Sequence, residues 1–88
     1  MMIATDTDVL AIVTEIVREE IGASPDQRLP PTAHLRNDLG FDSILEAETA
    51  MEIEDRFELD VPDDSLPPTI QEVADRVAAL LKARGAGE

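Results

Sequence analysis

The chain contains no cysteine, tryptophan or tyrosine, and its only aromatic rings are Phe41 and Phe57. Without cysteine there is no disulfide, no thiolate metal site and no thiol nucleophile. A chain of 88 residues with 2% aromatics builds one core, small and aliphatic. Basic side chains are scarce as well: 7 Lys and Arg stand against 20 Asp and Glu, for a formal net charge of -13. Affinity for nucleic acid comes largely from Lys and Arg neutralising phosphates, so this balance argues against a nucleic-acid partner. It argues equally against an anionic membrane surface and favours a basic protein partner. No uninterrupted apolar run is longer than the five residues of Val77-Ala78-Ala79-Leu80-Leu81, far short of a membrane span. The first residues, Met1-Met2-Ile3-Ala4-Thr5-Asp6, have neither the basic nor the apolar region of a secretion signal. A cytoplasmic protein is expected.

What is present is helical periodicity, with no strand pattern. Val9, Ile12, Val13, Ile16 and Val17 recur at helical spacing and predict a helix from Asp6 to Ile21, opened by a Thr5/Asp8 box and stopped at Gly22. Ile70, Val73, Ala74, Val77, Leu80 and Leu81 predict another. It starts at the Thr69/Glu72 box, carries Lys82 and Arg84 near its end where they suit the macrodipole, and closes at Gly85. Between them Ile44, Ala47, Ala50, Met51, Ile53 and Phe57 predict a helix from Ser43 to Phe57 or Glu58. Asp63-Asp64-Ser65-Leu66 leaves room for one short turn of helix. The expected fold is all-α: a small bundle of three main helices plus one short helix, with a long loop between helices 1 and 2. Residues 1–84 form the expected domain and 85–88 a disordered tail.

The segment from Gly22 to Asp42 carries Pro25, Pro30, Pro31 and Gly40 and shows no sustained periodicity. A loop of that length in so small a domain is uncommon and usually functional or disordered. It delivers the chain to Ser43, at the start of the middle helix. A helix N-terminus offers unpaired N–H groups and positive dipole potential, which together suit a phosphate group. A serine there can carry a phosphodiester, Gly40 allows a close approach, and flanking carboxylates could hold a cation for a phosphate-transferring enzyme. The same residues also fit a plainer role, in which Ser43 is only an N-cap completed by Glu46. The four-residue pattern alone favours the cap. His34, the single histidine, is expected to pack the loop, and Ser24-Pro25-Asp26 reads as a turn.

The longer string Asp38-Leu39-Gly40-Phe41-Asp42-Ser43-Ile44 resembles the attachment motif of acyl carrier proteins, in which an Asp-Ser pair precedes an aliphatic residue. The resemblance continues through Ala47-Glu48, Met51-Glu52-Ile53-Glu54-Asp55-Arg56-Phe57 and Val61-Pro62-Asp63-Asp64, and covers nearly the whole chain. It implies that a phosphopantetheinyl transferase esterifies Ser43 with 4'-phosphopantetheine from coenzyme A, with Asp42, Gly40 and Asp38 in support. The thiol of that arm would carry acyl groups as thioesters, and the protein itself would catalyse nothing. A resident metal is not implied, and a monomer is expected.

Eleven of the twenty carboxylates lie between Asp38 and Asp64, opposed there only by Arg56. An acidic helix is often just a solvated face. Concentrated beside the expected attachment serine, the charge reads as a docking surface for synthase, acyl-transferring or ligase enzymes with basic patches. The expected contacts are Ile44, Leu45, Glu48, Met51 and Glu52. Leu45, Ala47 and Thr49 depart from the usual pattern, where a polar or acidic residue, Val and an aliphatic residue are commoner. Phe41 resembles its counterpart in polyketide carriers, so the expected pathway is polyketide or otherwise specialised, with fatty-acid synthesis as the other option. An acidic helical adaptor, with Ser43 as a mere cap, is the alternative of a different class.

Overall fold

A computed structural model describes residues 6–61 and 66–86. Among the described residues three helices account for the regular structure: α1 (Asp6–Ile21), α2 (Ser43–Phe57) and α3 (Ile70–Ala86). Each follows from its apolar spacing. In α1, Val9, Val13, Ile16 and Val17 are buried on one stripe, and in α3 the stripe is Ile70, Val73, Ala74 and Val77. Each buried Val or Ile there contributes roughly 1.5–3 kcal/mol, so these two stripes supply much of the core. α1 is the central element, packed against both α2 and α3.

The helix ends show how closely local chemistry sets the boundaries. Gly22 turns left-handed at φ 67°, its amide bonds to the Glu19 carbonyl, and the Ala23 amide bonds to Arg18, a Schellman stop. At the start of α3 the Thr69 hydroxyl accepts the Glu72 amide at 3.2 Å and donates to the Glu72 carboxylate at 2.9 Å. α3 does not close at Gly85 but continues to Ala86. Arg84 lies in the last turn of α3, as expected, and also serves a second helix. Its guanidinium donates to the carbonyls of Phe57 and Glu58, at 3.2 and 2.6 Å, and so caps the C-terminus of α2. Thr5, the expected first cap, and the expected short helical turn after Pro62 lie outside the described residues.

The connection from Gly22 to Asp42 is not structureless. Its Leu29, Ala33, Leu35 and Phe41 are all buried in the common core. Backbone bonds tie it to the start of α3: the Leu35 amide to Pro68, Ile70 to Ala33 and Gln71 to Pro31. His34 and Thr69 form an isolated antiparallel bridge. The Ser24–Gln27 turn forms as expected, and Arg18 donates to the Ser24 and Gln27 carbonyls. Four apolar anchors at irregular spacing carry no period, which is why a packed segment reads as a bare loop in sequence.

Candidate functional site

The approach to α2 is built from a chain of small constraints. Residues 34–39 form a tight turn in which the Asp38 and Leu39 amides both reach the His34 carbonyl, at 2.8 and 3.2 Å. The Asp38 carboxylate closes it by accepting the His34 amide at 2.8 Å, and the His34 ring accepts the Asn37 amide. Gly40 then takes φ 74°, a left-handed conformation that costs a side-chain-bearing residue about 1–2 kcal/mol. Phe41 is buried, and its amide bonds to Leu35 at 3.0 Å. That anchor fixes where the next two residues stand.

Asp42, not Ser43, is the N-cap. Its backbone is extended at φ -117° and ψ -175°, its carboxylate accepts the Leu45 amide at 2.8 Å, and its carbonyl accepts the Glu46 amide at 3.0 Å. Ser43 is the first residue of the helix, and it is exposed. No described protein group pairs with its hydroxyl. The Ser43/Glu46 capping box read from sequence is therefore corrected, because the residue before the serine already satisfies the helix end. The amides of Ser43 and Ile44 have no carbonyl one turn behind them and point outward from the N-terminus. Glu46, freed from the box, accepts Arg36 Nε at 2.9 Å instead and joins the loop to the first turn of α2.

Along α2 the expected contact residues separate. Ile44 and Met51 are 68% and 60% exposed, large apolar side chains left in solvent. With Glu48 and Asp55, also exposed, they occupy positions i, i+4, i+7 and i+11 of one stripe. Leu45 lies off that stripe, half-buried against the core. Glu52 is half-exposed and accepts Arg56 at 3.3 Å, and Arg56 also pairs with Glu19 of α1 at 3.7 Å. The acidic field reaches across to α1. Burial, then the charges of Glu48, Glu52 and Glu19, hold the Glu20 carboxyl above its ordinary pKa. Glu20 was not singled out from sequence, since nothing in the linear pattern puts the end of α1 beside the middle of α2.

On its inner side α2 is thin. Its buried residues are Thr49, Ala50 and Ile53, and the Thr49 hydroxyl is buried with no hydrogen-bond partner. Among the described residues no group of three or more His, Asp or Glu is placed to hold a metal ion. Asp38 and Asp42 each commit a carboxylate oxygen to a backbone amide. The site thus consists of a solvent-facing hydroxyl and two outward amides at a capped helix start, with an arginine one turn away. Such a site fits a covalently attached phosphodiester.

Comparison with known proteins points the same way. Residues 11–77 match the family described as PP-binding, Phosphopantetheine attachment site. The chain is 36% identical over 80 residues to the acyl carrier protein of Phenylobacterium zucineum, covering 91% of this chain and 99% of that one. It is 35% identical over 75 residues to the acyl carrier protein of Cyanidioschyzon merolae, covering 83% and 81%. To the meromycolate extension acyl carrier protein of Mycolicibacterium smegmatis it is 32% identical over 81 residues, covering 92% and 80%.

Proposed function

The chain belongs to the acyl carrier protein family, and from that premise we propose that Ser43 bears its prosthetic group and that its cargo belongs to a polyketide or other specialised pathway. The protein is a carrier, not an enzyme, and its prosthetic group is 4'-phosphopantetheine. The single observation that carries the assignment to Ser43 is the cap at Asp42. An N-cap serine would have its oxygen tied to the helix backbone, whereas this one is exposed and unpartnered. In the transfer, Ser43 Oγ would form a bond to the phosphorus that bears the pantetheine arm. The pyrophosphate bridge of coenzyme A breaks, adenosine 3',5'-bisphosphate leaves, and a base on the transferase takes the hydroxyl proton. The attached arm supplies the thiol that this cysteine-free chain lacks.

The chain's own residues would position and present that arm. Asp42 fixes the first turn, the Ser43 and Ile44 amides face the phosphate, and Gly40 lets the loop turn away from it. Ile44, Glu48 and Met51 offer partners one exposed stripe that combines apolar contact with acid, with Glu52 at its edge. A basic partner docking there meets complementary charge, which speeds encounter without demanding tight binding. No described helix is long and apolar enough to cross a membrane, and the protein is proposed to act as a cytoplasmic monomer. The family match does not favour the acidic-adaptor alternative.

Phe41 and the small inner side of α2 support the specialised-pathway reading. Reconstitution tests it. Malonyl-loaded protein is offered to purified condensing enzymes of fatty-acid and of polyketide type, and extended thioesters are read by mass. Turnover by the polyketide set at several times the rate of the fatty-acid set is expected. Efficient elongation by the fatty-acid set, with none by the other, would reverse the assignment.

A further inference from the structure

Arg36 is the arginine tied to the first turn of α2, and only part of its guanidinium is used. Its Nε donates to Glu46 at 2.9 Å, and no described group pairs with either terminal nitrogen. An arginine carries five N–H donors in a planar fork that matches phosphate geometry, and here the four terminal ones are unspent. The Glu46 side chain is mostly buried, 14% exposed, while that of Arg36 is 54% exposed. The buried partner thus acts as an anchor and the exposed one as the group it holds out.

The place at which it is held is what gives this meaning. Glu46 is three residues after Ser43, and residues at that spacing are neighbours on one helix face. Asp42, immediately before Ser43, also acts on Arg36. The hydrogen bond to Glu46, then the charges of Glu46 and Asp42, raise the arginine's pKa above its ordinary value. Arg36 therefore lies against the first turn of α2 within the field of residues on both sides of the serine. The turn at 34–39 that carries it is closed by Asp38 and pinned by buried Leu35, so its backbone is fixed in place.

We propose that Arg36, anchored through Nε by Glu46, is a phosphate-binding residue whose terminal N–H groups hold the non-bridging oxygens of a phosphodiester on Ser43. The inference rests on the reading of Ser43 as the attachment residue and adds to it a chain-specific positioning element. Its consequence is directional: the phosphate end of the arm is restrained on the loop side of α2, and the rest of the arm swings from that point. A lysine would not substitute fully, since it offers one compact charge in place of a fork.

The test uses the full chain, loaded with phosphopantetheine and checked by intact mass, as wild type, Arg36→Gln, Arg36→Lys and Glu46→Gln. The readouts are the phosphorus-31 line of the phosphodiester and the arginine side-chain N–H resonances, compared before and after loading. In the wild type, loading is expected to shift the Arg36 side-chain resonances and to give a broadened phosphorus line. Arg36→Gln loses the broadening, while Arg36→Lys and Glu46→Gln retain part of it. If Arg36 is only a strap between loop and helix, Arg36→Gln lowers the melting temperature but leaves the phosphorus line unchanged, and the proposal fails. If the wild type takes up no phosphopantetheine at Ser43, that reading and this one fail together, and the mass shows it before any spectrum is taken.

Discussion

Asp42 and Ser43 divide between them two jobs that one residue at a helix start would otherwise have to share. The Asp42 carboxylate takes the Leu45 amide at 2.8 Å, and the Ser43 hydroxyl, one residue on, is left to solvent. The two side chains should therefore respond oppositely to removal. Asp42→Ala is expected to cost about 1 kcal/mol of stability and Asp42→Asn to restore most of it. Ser43→Ala should change stability by less than about 0.5 kcal/mol. Urea unfolding of the three variants checks this, and a Ser43→Ala loss as large as that of Asp42→Ala would return the cap to Ser43.

Thr49 has a buried hydroxyl and nothing to bond it to. Burying a polar group unpaired costs about 1–3 kcal/mol, and valine has nearly the same shape without that group. Thr49→Val is expected to stabilise the protein by about 1 kcal/mol, read as a higher denaturation midpoint at constant slope. A loss of stability would mean that the hydroxyl has a partner in solution.

Glu20 sits where α1 meets the acid of α2, and its pKa is raised by burial and by Glu48, Glu52 and Glu19. A carboxyl with a raised folded-state pKa favours folding when protonated, and that contribution is lost as pH rises through the raised pKa. At neutral pH the charge therefore opposes folding. Glu20→Gln should be more stable than wild type at pH 7, and the difference should shrink as pH falls toward the ordinary glutamate range. Added salt should shrink it too. A difference independent of pH would show that the carboxylate charge is not its cause.

Glu58 ends α2 in the left-handed region at φ 54°, a position that favours glycine. Glu58→Gly should gain about 1 kcal/mol, provided that Arg84 keeps its bonds to the carbonyls there. Thermal melts of Glu58→Gly, Arg84→Gln and the pair separate the two effects. Equal or lower stability in Glu58→Gly would place the strain elsewhere.

Much of this architecture is legible in the sequence because it is local. The stripes of α1 and α3, the Gly22 stop and the Thr69/Glu72 start are written in residues three or four apart. The cap of α2 is not legible in the sequence because Asp42 and Ser43 are both good capping residues. Only Phe41, buried and tied to Leu35, decides which of them stands at the boundary. The packing of the 22–42 segment, the reach of Arg84 to α2 and the Glu20 environment are long-range, and a linear pattern does not encode them. Of the expected contact residues, Ile44, Glu48 and Met51 share the exposed stripe, while the half-buried Leu45 shows how one step of 100° around a helix separates surface from core.

The most direct test is the intact mass of the protein after incubation with coenzyme A, magnesium and a broad-specificity phosphopantetheinyl transferase, with Ser43→Ala and Asp42→Asn alongside. The wild type and Asp42→Asn are expected to gain one phosphopantetheine, mapped by peptide fragmentation to Ser43, and Ser43→Ala to gain none. Modification of Ser43→Ala, or an unmodified wild type beside a control carrier that the same enzyme loads, would contradict the assignment of Ser43.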